Sequence, residues 1–462
     1  MFDAIDYSSA PAAETALHAL FDPVCEAGIL TKDELAHLSG EIDELLEVIR
    51  NRNRPVEEYW NAFRAQFGFA QQAGEPFPMN AANLCPEPTA LLNAANTLRL
   101  QYNDNVAQQT RMARGLRVQQ LERAREYIAA GLGVSRPSDV ALLRNASEAN
   151  NAVNCGYRGW RAGQPAENVV LWTENHPTNL AAWELRRRGA PFEIRMVNFQ
   201  YGESDDQIAD AFIRNIDVNT RFVSYSAISN GKGFRIPDGV MMRIWDHAAR
   251  FDHCHVHVDG TMVWGARPVS LEHEPLCHSF VSSCHKWFLG PKETGILYMH
   301  PSKVQNFTPS IFAYDYKIEI PEQLPNTALR FELLGQRDDV NIITLAVTQI
   351  IWRELALGVG SYNPYQRVQE LSNYLVDSLT RRQPPARPWE LLTPASPDRR
   401  WGIVRVSAPR GSKPPLEQWL FDNKIVGGGG GGDEFRLCPH IYNTRADIDK
   451  VVLGMDTWRD SR

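Results

Sequence analysis

The sequence predicts an α/β protein, with a large, mostly parallel sheet covered by helices on both faces and a smaller α+β domain after it. Three observations carry this. Between about residues 120 and 300, apolar strand-like runs alternate with helical stretches, the pattern of a parallel sheet. Beyond about residue 345 that alternation stops, and two long helical stretches precede a strand-like run. The chain has 462 residues with 43% hydrophobic content, enough for two packed domains.

Taken in order, residues 1–75 read as an N-terminal helical extension. Thr31 and Glu34 have capping-box spacing. Leu35, Leu38, Ile42, Leu45, Leu46 and Ile49 then recur at helical intervals, which marks a packing helix without chemistry of its own. Residues 1–70 hold 13 Asp/Glu against 5 Lys/Arg, and the whole chain has a formal charge of -7, so a nucleic-acid-binding surface is not expected. The first residues lack the basic and apolar regions of a secretion signal, and no run approaches the roughly 20 apolar residues of a membrane span. Seven scattered cysteines without a C-x-x-C pair suit a reducing, cytoplasmic setting.

Residues 76–340 read as the large domain, with strands in "DVALLR", "NVVLW", "FEIRMVNF", "RFVSYSAI", "CHVHVDG", "SFVSS" and "GILYMH". Residues 341–462 read as the small domain, with helices in "ITLAVTQIIWRELALGV" and "YNPYQRVQELSNYLVDSLTRR" and a strand in "WGIVRVSA". A run of six glycines, residues 427–432, lacks the Lys-Ser/Thr of a phosphate-binding P-loop. It reads as a mobile lid or a tolerated loop expansion, with the lid favoured by its closeness to Arg436.

The chemistry centres on "SSCHKWFLGPKETGILY", residues 282–298, where Lys286 sits between a turn and a strand in apolar surroundings. Asp259 lies 27 residues earlier, at the carboxyl end of "HVHVD", and ligand crevices of open α/β sheets lie at such ends. A lysine that condenses with an aldehyde and a carboxylate that holds a pyridine nitrogen protonated together suit pyridoxal 5′-phosphate. Burial lowers such a lysine's proton affinity. Ser147 opens a helix after "ALLRNA", where free N–H groups and the helix dipole suit a phosphate; an ordinary helix cap would look the same.

The ordered motifs "NAAN" (80–83), "NASEA" (145–149), "ENHPTNL" (174–180), "SNGKG" (229–233), "VDG" (258–260), "SCHK" (283–286), "GQRD" (335–338) and "RLCPHIYNT" (436–444) resemble the class V aminotransferase-like group of fold-type I pyridoxal phosphate enzymes. That group includes cysteine desulfurases, isopenicillin N epimerase and C–S lyases. The last two motifs point to the epimerase-like branch and, with it, to specialised metabolism such as antibiotic biosynthesis. By this resemblance Lys286 is the lysine joined to the cofactor, Asp259 the partner of its ring nitrogen, and His176 the ring that stacks on it. Ala146, Ser147, Ser283 and His285 are phosphate contacts, and Asn230 lies near the phenolate oxygen. Arg436 takes the substrate carboxylate, which its planar fork suits, and Asn80 lies on the substrate side. Gln336 would reach the phosphate of a partner subunit, which implies a homodimer with shared sites.

Three departures stand out, the first being that the family often has Thr where Gln336 stands. Met262 occupies a position where the family usually has a Gln or His donor. No cysteine lies between Cys284 and Cys438, where a desulfurase would place its persulfide cysteine. The resemblance implies chemistry at the α-carbon of an amino acid: elimination, epimerisation or transamination, with Lys286 as acid/base. An O₂-dependent oxidase or monooxygenase that decarboxylates the substrate is the alternative. A cofactor-binding regulator without activity has no support, because the lysine is present and no DNA-binding extension is seen. His253, His255 and His257 alternate along a strand-like run, yet a metal site is not expected, because the run leads straight into Asp259. Cys284 and Cys438 read as buried thiols. Trp264 and Trp287 are near enough in sequence to shape the pocket.

Overall fold

The structure, a computed structural model, describes residues 11–72, 74–107, 116–161, 166–190, 192–272, 276–313, 324–381, 388–408, 414–427, 429–431 and 434–461. Its helices are α1 (Ala13–Glu26), α2 (Lys32–Arg50), α3 (Val56–Arg64), α4 (Thr89–Asp104), α5 (Leu116–Ala130), α6 (Ala146–Gly156), α7 (Pro177–Arg187), α8 (Asp205–Ile213), α9 (Asp238–Ala248), α10 (Asp339–Ala356), α11 (Pro364–Thr380), α12 (Leu416–Asp422) and α13 (Arg445–Asp460). The strands are β1 (Phe77–Pro78), β2 (Val140–Leu143), β3 (Glu167–Trp172), β4 (Phe192–Val197), β5 (Thr220–Ser226), β6 (His255–Asp259), β7 (Ser279–Ser283), β8 (Gly295–Met299), β9 (Val404–Ser407), β10 (Val426–Gly427), β11 (Gly429–Gly431) and β12 (Glu434–Leu437).

Seven strands form the main sheet in the order β2-β8-β7-β6-β5-β3-β4. The pairs β7–β6, β6–β5, β5–β3 and β3–β4 are parallel, whereas β8 runs antiparallel to both its neighbours. The carboxyl ends of β2, β3, β5, β6 and β7 therefore meet along one edge of the sheet. Side chains of a strand alternate between faces, and both faces are covered. Leu142, Val170, Val223, Val256 and Phe280 join one core cluster, while Ala141, Val169, Phe222, Val281 and Leu297 join another. This explains why these strands read as continuous apolar runs rather than alternating ones.

Helices α1–α3 pack into the first of these cores through Leu20, Leu38, Ile42, Leu45, Ile49 and Trp60, and the Thr31–Glu34 capping box is formed. A second sheet, β11-β12-β9, is antiparallel. Val404, Val406, Phe435 and Leu437 face a separate core with Leu371 and Leu375 of α11 and Val451 and Trp458 of α13. The other face carries Arg405, Ser407, Glu434 and Arg436. Gly429–Gly431 of the glycine run form the edge strand β11, with Gly429 opposite Arg436. Gly428 and Gly432 lie outside the described residues. Residues 77–80 join this end of the molecule, through β1 beside β10 and a bridge between Asn80 and Cys438.

Candidate active site

Lys286 follows β7 on a tight loop whose four successive carbonyls are each held by a different donor. Those of His285 and Lys286 accept the Cys85 and Leu289 backbone N–H groups, both at 3.0 Å. That of Trp287 meets His440 Nε2 at 2.8 Å, and that of Phe288 accepts Trp352 Nε1–H. Leu289 has φ 59°, a strained conformation for a branched residue that the surrounding contacts must hold. Gly265 has φ +88°, and a Cβ there would meet the Trp287 backbone at 2.3 Å, so only glycine lets that turn pack behind the lysine. Trp264 and Trp287 brace this loop from behind. Trp264 stacks on Phe288 with centroids 3.8 Å apart, and neither tryptophan lines the cavity in front.

That cavity, of about 260 Å³, opens at the carboxyl ends of β5, β6 and β7 and the N-termini of α6 and α7. Eight of the eleven residues singled out from the sequence line it: Ala146, Ser147, His176, Asn230, Asp259, Ser283, His285 and Lys286. Asn145, Asn150, Thr178, Ser226, Ile228, Thr261 and Met262 complete the wall. Asn145 caps α6 by accepting from Glu148 N at 2.9 Å, and Ala146 N donates to Ser283 Oγ at 2.9 Å, which ties the helix start to the end of β7. A Cβ on Gly295 would meet the Asn145 backbone at 2.7 Å, so glycine is what lets β8 approach this turn.

Burial, offset in part by Asp259, pushes the Lys286 amine down to about 8. His176 caps α7, its Nδ1 accepting from Thr178 N at 3.2 Å, so the ring proton sits on Nε2. Burial lowers its proton affinity, and the neutral ring follows.

Asp259 is fixed by a buried relay that the sequence reading missed. Thr261 N donates to its Oδ1 at 3.0 Å, and Asn150 Nδ2 to its Oδ2 at 3.1 Å. Asn150 Nδ2 also donates to the Ala146 carbonyl at 2.9 Å, which places Asn150 Oδ1 toward His257 Nε2, 2.9 Å away. His257 Nε2 therefore carries the proton. Its Nδ1 accepts from Ser279 Oγ at 2.8 Å, and Ser279 Oγ accepts from His255 Nε2 at 2.7 Å. Burial keeps both imidazoles neutral, with His257 at about 4. Every donor in the line thus points toward Asp259. Two of the three histidines are spent in this relay. His253 lies before β6, with its Nε2 on the Val218 carbonyl.

Arg436, Asn80 and Asn230 come together beside the cavity. Arg436 Nη1 donates to the Asn230 carbonyl at 2.9 Å and to Asn230 Oδ1 at 3.1 Å; Nη2 donates to Asn80 Oδ1 at 3.1 Å. Gln336 is exposed in the turn before α10 and lines no part of this cavity. Cys85, Cys284 and Cys438 are buried, and burial pushes each thiol up.

Residues 80–321 match the Aminotransferase class-V family, over more than half of the chain. The chain belongs to that family. Pyridoxal 5′-phosphate is the family's cofactor, and the chain is an enzyme that depends on it. It is 26% identical to an isopenicillin N epimerase of Streptomyces clavuligerus over 351 residues, covering 73% of this chain and 84% of that protein. It is 25% identical to a cysteine desulfurase of Pectobacterium atrosepticum over 408 residues, 82% of this chain and 95% of that one. Among solved structures, a cysteine desulfurase of Thermococcus onnurineus superposes with a TM-score of 0.70 at 18% identity, covering 86% and 98% of the two chains. The cystine C–S lyase C-DES, solved with cysteine persulfide, does so with a TM-score of 0.67 at 19% identity, covering 84% and 99%. The class-V, fold-type I architecture foreseen from the motifs is the one observed.

The wall itself fits this cofactor. It offers an amine of lowered proton affinity, a carboxylate that only accepts hydrogen bonds, and a capped helix N-terminus suited to phosphate. It also holds two buried polar atoms without protein partners, His285 Nδ1 and Thr261 Oγ1. Nothing in the sequence singles out Asn150, Thr178 or Ser226: Thr178 lies in the first turn of α7, Ser226 at the end of β5 and Asn150 in the second turn of α6.

Proposed function

We propose that this enzyme acts at the α-carbon of an amino-acid substrate, by elimination, epimerisation or transamination. The observation that carries the reading is that Lys286 and Asp259 face one cavity, with the α6 N-terminus in the same wall. Bound there, pyridoxal phosphate supplies an electron sink that stabilises negative charge at the substrate's α-carbon. Lys286 would hold the cofactor's aldehyde and, as a free amine, would serve as the acid/base at the α-carbon through Nζ; an amine lowered to about 8 suits both tasks. Asp259, oriented by Asn150 and Thr261, holds the proton on the pyridine nitrogen. Ala146, Ser147, Ser283 and His285 hold the phosphate, joined by Gln336 of a second copy. His176 would face the cofactor's ring, and Asn230 would serve its phenolate oxygen. Arg436, preset by Asn80 and Asn230, pairs with the α-carboxylate, a fork-to-fork contact that excludes water as it forms.

Among the described residues no cysteine lines the cavity, which supports chemistry that ends at the α- or β-carbon over a persulfide relay. Likeness to an isopenicillin N epimerase supports a place in specialised amino-acid metabolism. A second reading, oxidative decarboxylation with O₂, is favoured by Met262, an apolar side chain in the lining where related enzymes carry a hydrogen-bond donor. Product analysis of cofactor-loaded enzyme with a panel of amino acids, under air and under nitrogen, tests both. Pyruvate-type products, epimers or keto acids in both atmospheres support the first reading. Release of CO₂ that stops under nitrogen supports the second. Unchanged amino acids throughout contradict both.

A further inference from the structure

The small sheet turns a charged face toward the cavity, and that face holds two arginines. In the β12–β9 ladder Arg436 stands directly opposite Arg405. Directly opposite residues share a face with Cβ atoms about 5 Å apart, and like charges so placed are destabilising. Both reach the same turn. Arg436 Nη1 donates to the Asn230 carbonyl at 2.9 Å, and Arg405 Nη1 to the adjacent Gly231 carbonyl at 3.2 Å. Asn230 lines the cavity, so both arginines are anchored on a turn at its rim. The acid on this face among the described residues is Glu434, whose Oε2 is 2.5 Å from Arg405 Nε. Its side chain is 37% exposed, and such partly exposed ion pairs are worth little. On the far side of Arg436, Gly429 contributes no side chain.

We propose that Arg405 forms a second anion-binding position beside Arg436, so that the substrate is an amino acid with an anionic side chain, a dicarboxylic one in the simplest case. This rests on Arg436 taking the α-carboxylate, as proposed above. The side-chain anion displaces Glu434 from Arg405 and relieves the like-charge pair. Arg405 is then a specificity-determining residue, and Glu434 the internal stand-in for the ligand. A purely structural Arg405 would make Glu434 a support; a binding Arg405 makes it a competitor. The two roles predict opposite signs when Glu434 loses its charge.

The test is titration of cofactor-loaded enzyme, followed by cofactor absorption, with L-aspartate against L-asparagine and L-glutamate against L-glutamine. In each pair the ligands differ only in a carboxylate or carboxamide. The wild type is expected to bind one acid about ten-fold tighter than its amide, as charge-assisted hydrogen bonds to arginine allow. Arg405→Met should collapse that ratio toward one, and Glu434→Gln should increase it. Equal binding within both pairs, a ratio unmoved by Arg405→Met, or a ratio lowered by Glu434→Gln would each overturn the proposal. A spectral response to the amides would still stand in those cases and preserve the broader function. No response to any of the four ligands overturns this proposal, while the broader function is then decided by the wider amino-acid panel above.

Discussion

Single residues in the site hold protons in positions that can be measured. Burial lowers the Lys286 amine to about 8, Asp259 draws it back up, and Arg436 lowers it further. A lowered lysine is protonated below that value and free to condense above it. Uptake of pyridoxal phosphate by the apoenzyme should therefore quicken as pH rises through about 8. Asp259→Asn removes the raising charge and should move the midpoint lower, whereas Arg436→Met should move it higher. Stopped-flow absorbance between pH 6 and 10 reads both shifts. The relay makes a second prediction. Asn150→Leu strips a donor from Asp259 and an acceptor from His257 inside the core, at a cost of about 1–3 kcal/mol, measurable by urea denaturation of the apoenzyme. It should also move the ¹⁵N resonance of a labelled cofactor's ring nitrogen toward the unprotonated position, which a loss of packing alone would leave in place. Lys286, Asp259 and His176 were legible in the sequence because each sits in a motif with a chemical reason. Asn150 was not, because its role depends on a contact across 109 positions of chain.

At the scale of elements, the strands were legible and the glycine run was not. Six of the seven runs became strands buried on both faces, which removes polar alternation, whereas β4, at the sheet edge, keeps Glu193 and Arg195. Six glycines carry no pattern at all, and either a lid or a strand is open to them. What decides it for Gly429–Gly431 is the ladder to Glu434–Arg436. Gly429→Val adds a side chain directly across from Arg436. We expect amino-acid affinity to fall several-fold while cofactor affinity holds, as read by two separate absorbance titrations; equal loss of both would place the effect in folding instead. At the opposite end of the site, Gly295→Ala forces a Cβ to within 2.7 Å of the Asn145 backbone. Overpacking of this kind costs about 1–3 kcal/mol, and because it falls on the cap of α6, the cofactor's phosphate grip should weaken with it. A calorimetric melt and a cofactor titration check the two effects.

At the scale of the whole molecule, the site draws on distant stretches of the chain: residues 80 and 85 near the start, the main sheet, and Arg436 and His440 near the end. Order of motifs made this legible; the way the lysine loop is held from Cys85, Trp352 and His440 was not, since carbonyl partners leave no trace in sequence. We propose a homodimer with shared sites from the resemblance of "GQRD", in which Gln336 would reach a second copy's phosphate; Gln336 is exposed, as such a contact requires. Light scattering of the loaded enzyme at micromolar concentration should give twice the chain mass, and Gln336→Ala should weaken cofactor retention. A monomer with full activity would contradict it. All of this depends on one bond. Loaded enzyme treated with borohydride, digested and mapped by mass spectrometry should carry the reduced cofactor on the peptide containing Lys286, and Lys286→Ala treated in the same way should carry none. A label on another lysine, or an unchanged label in the variant, would contradict the account.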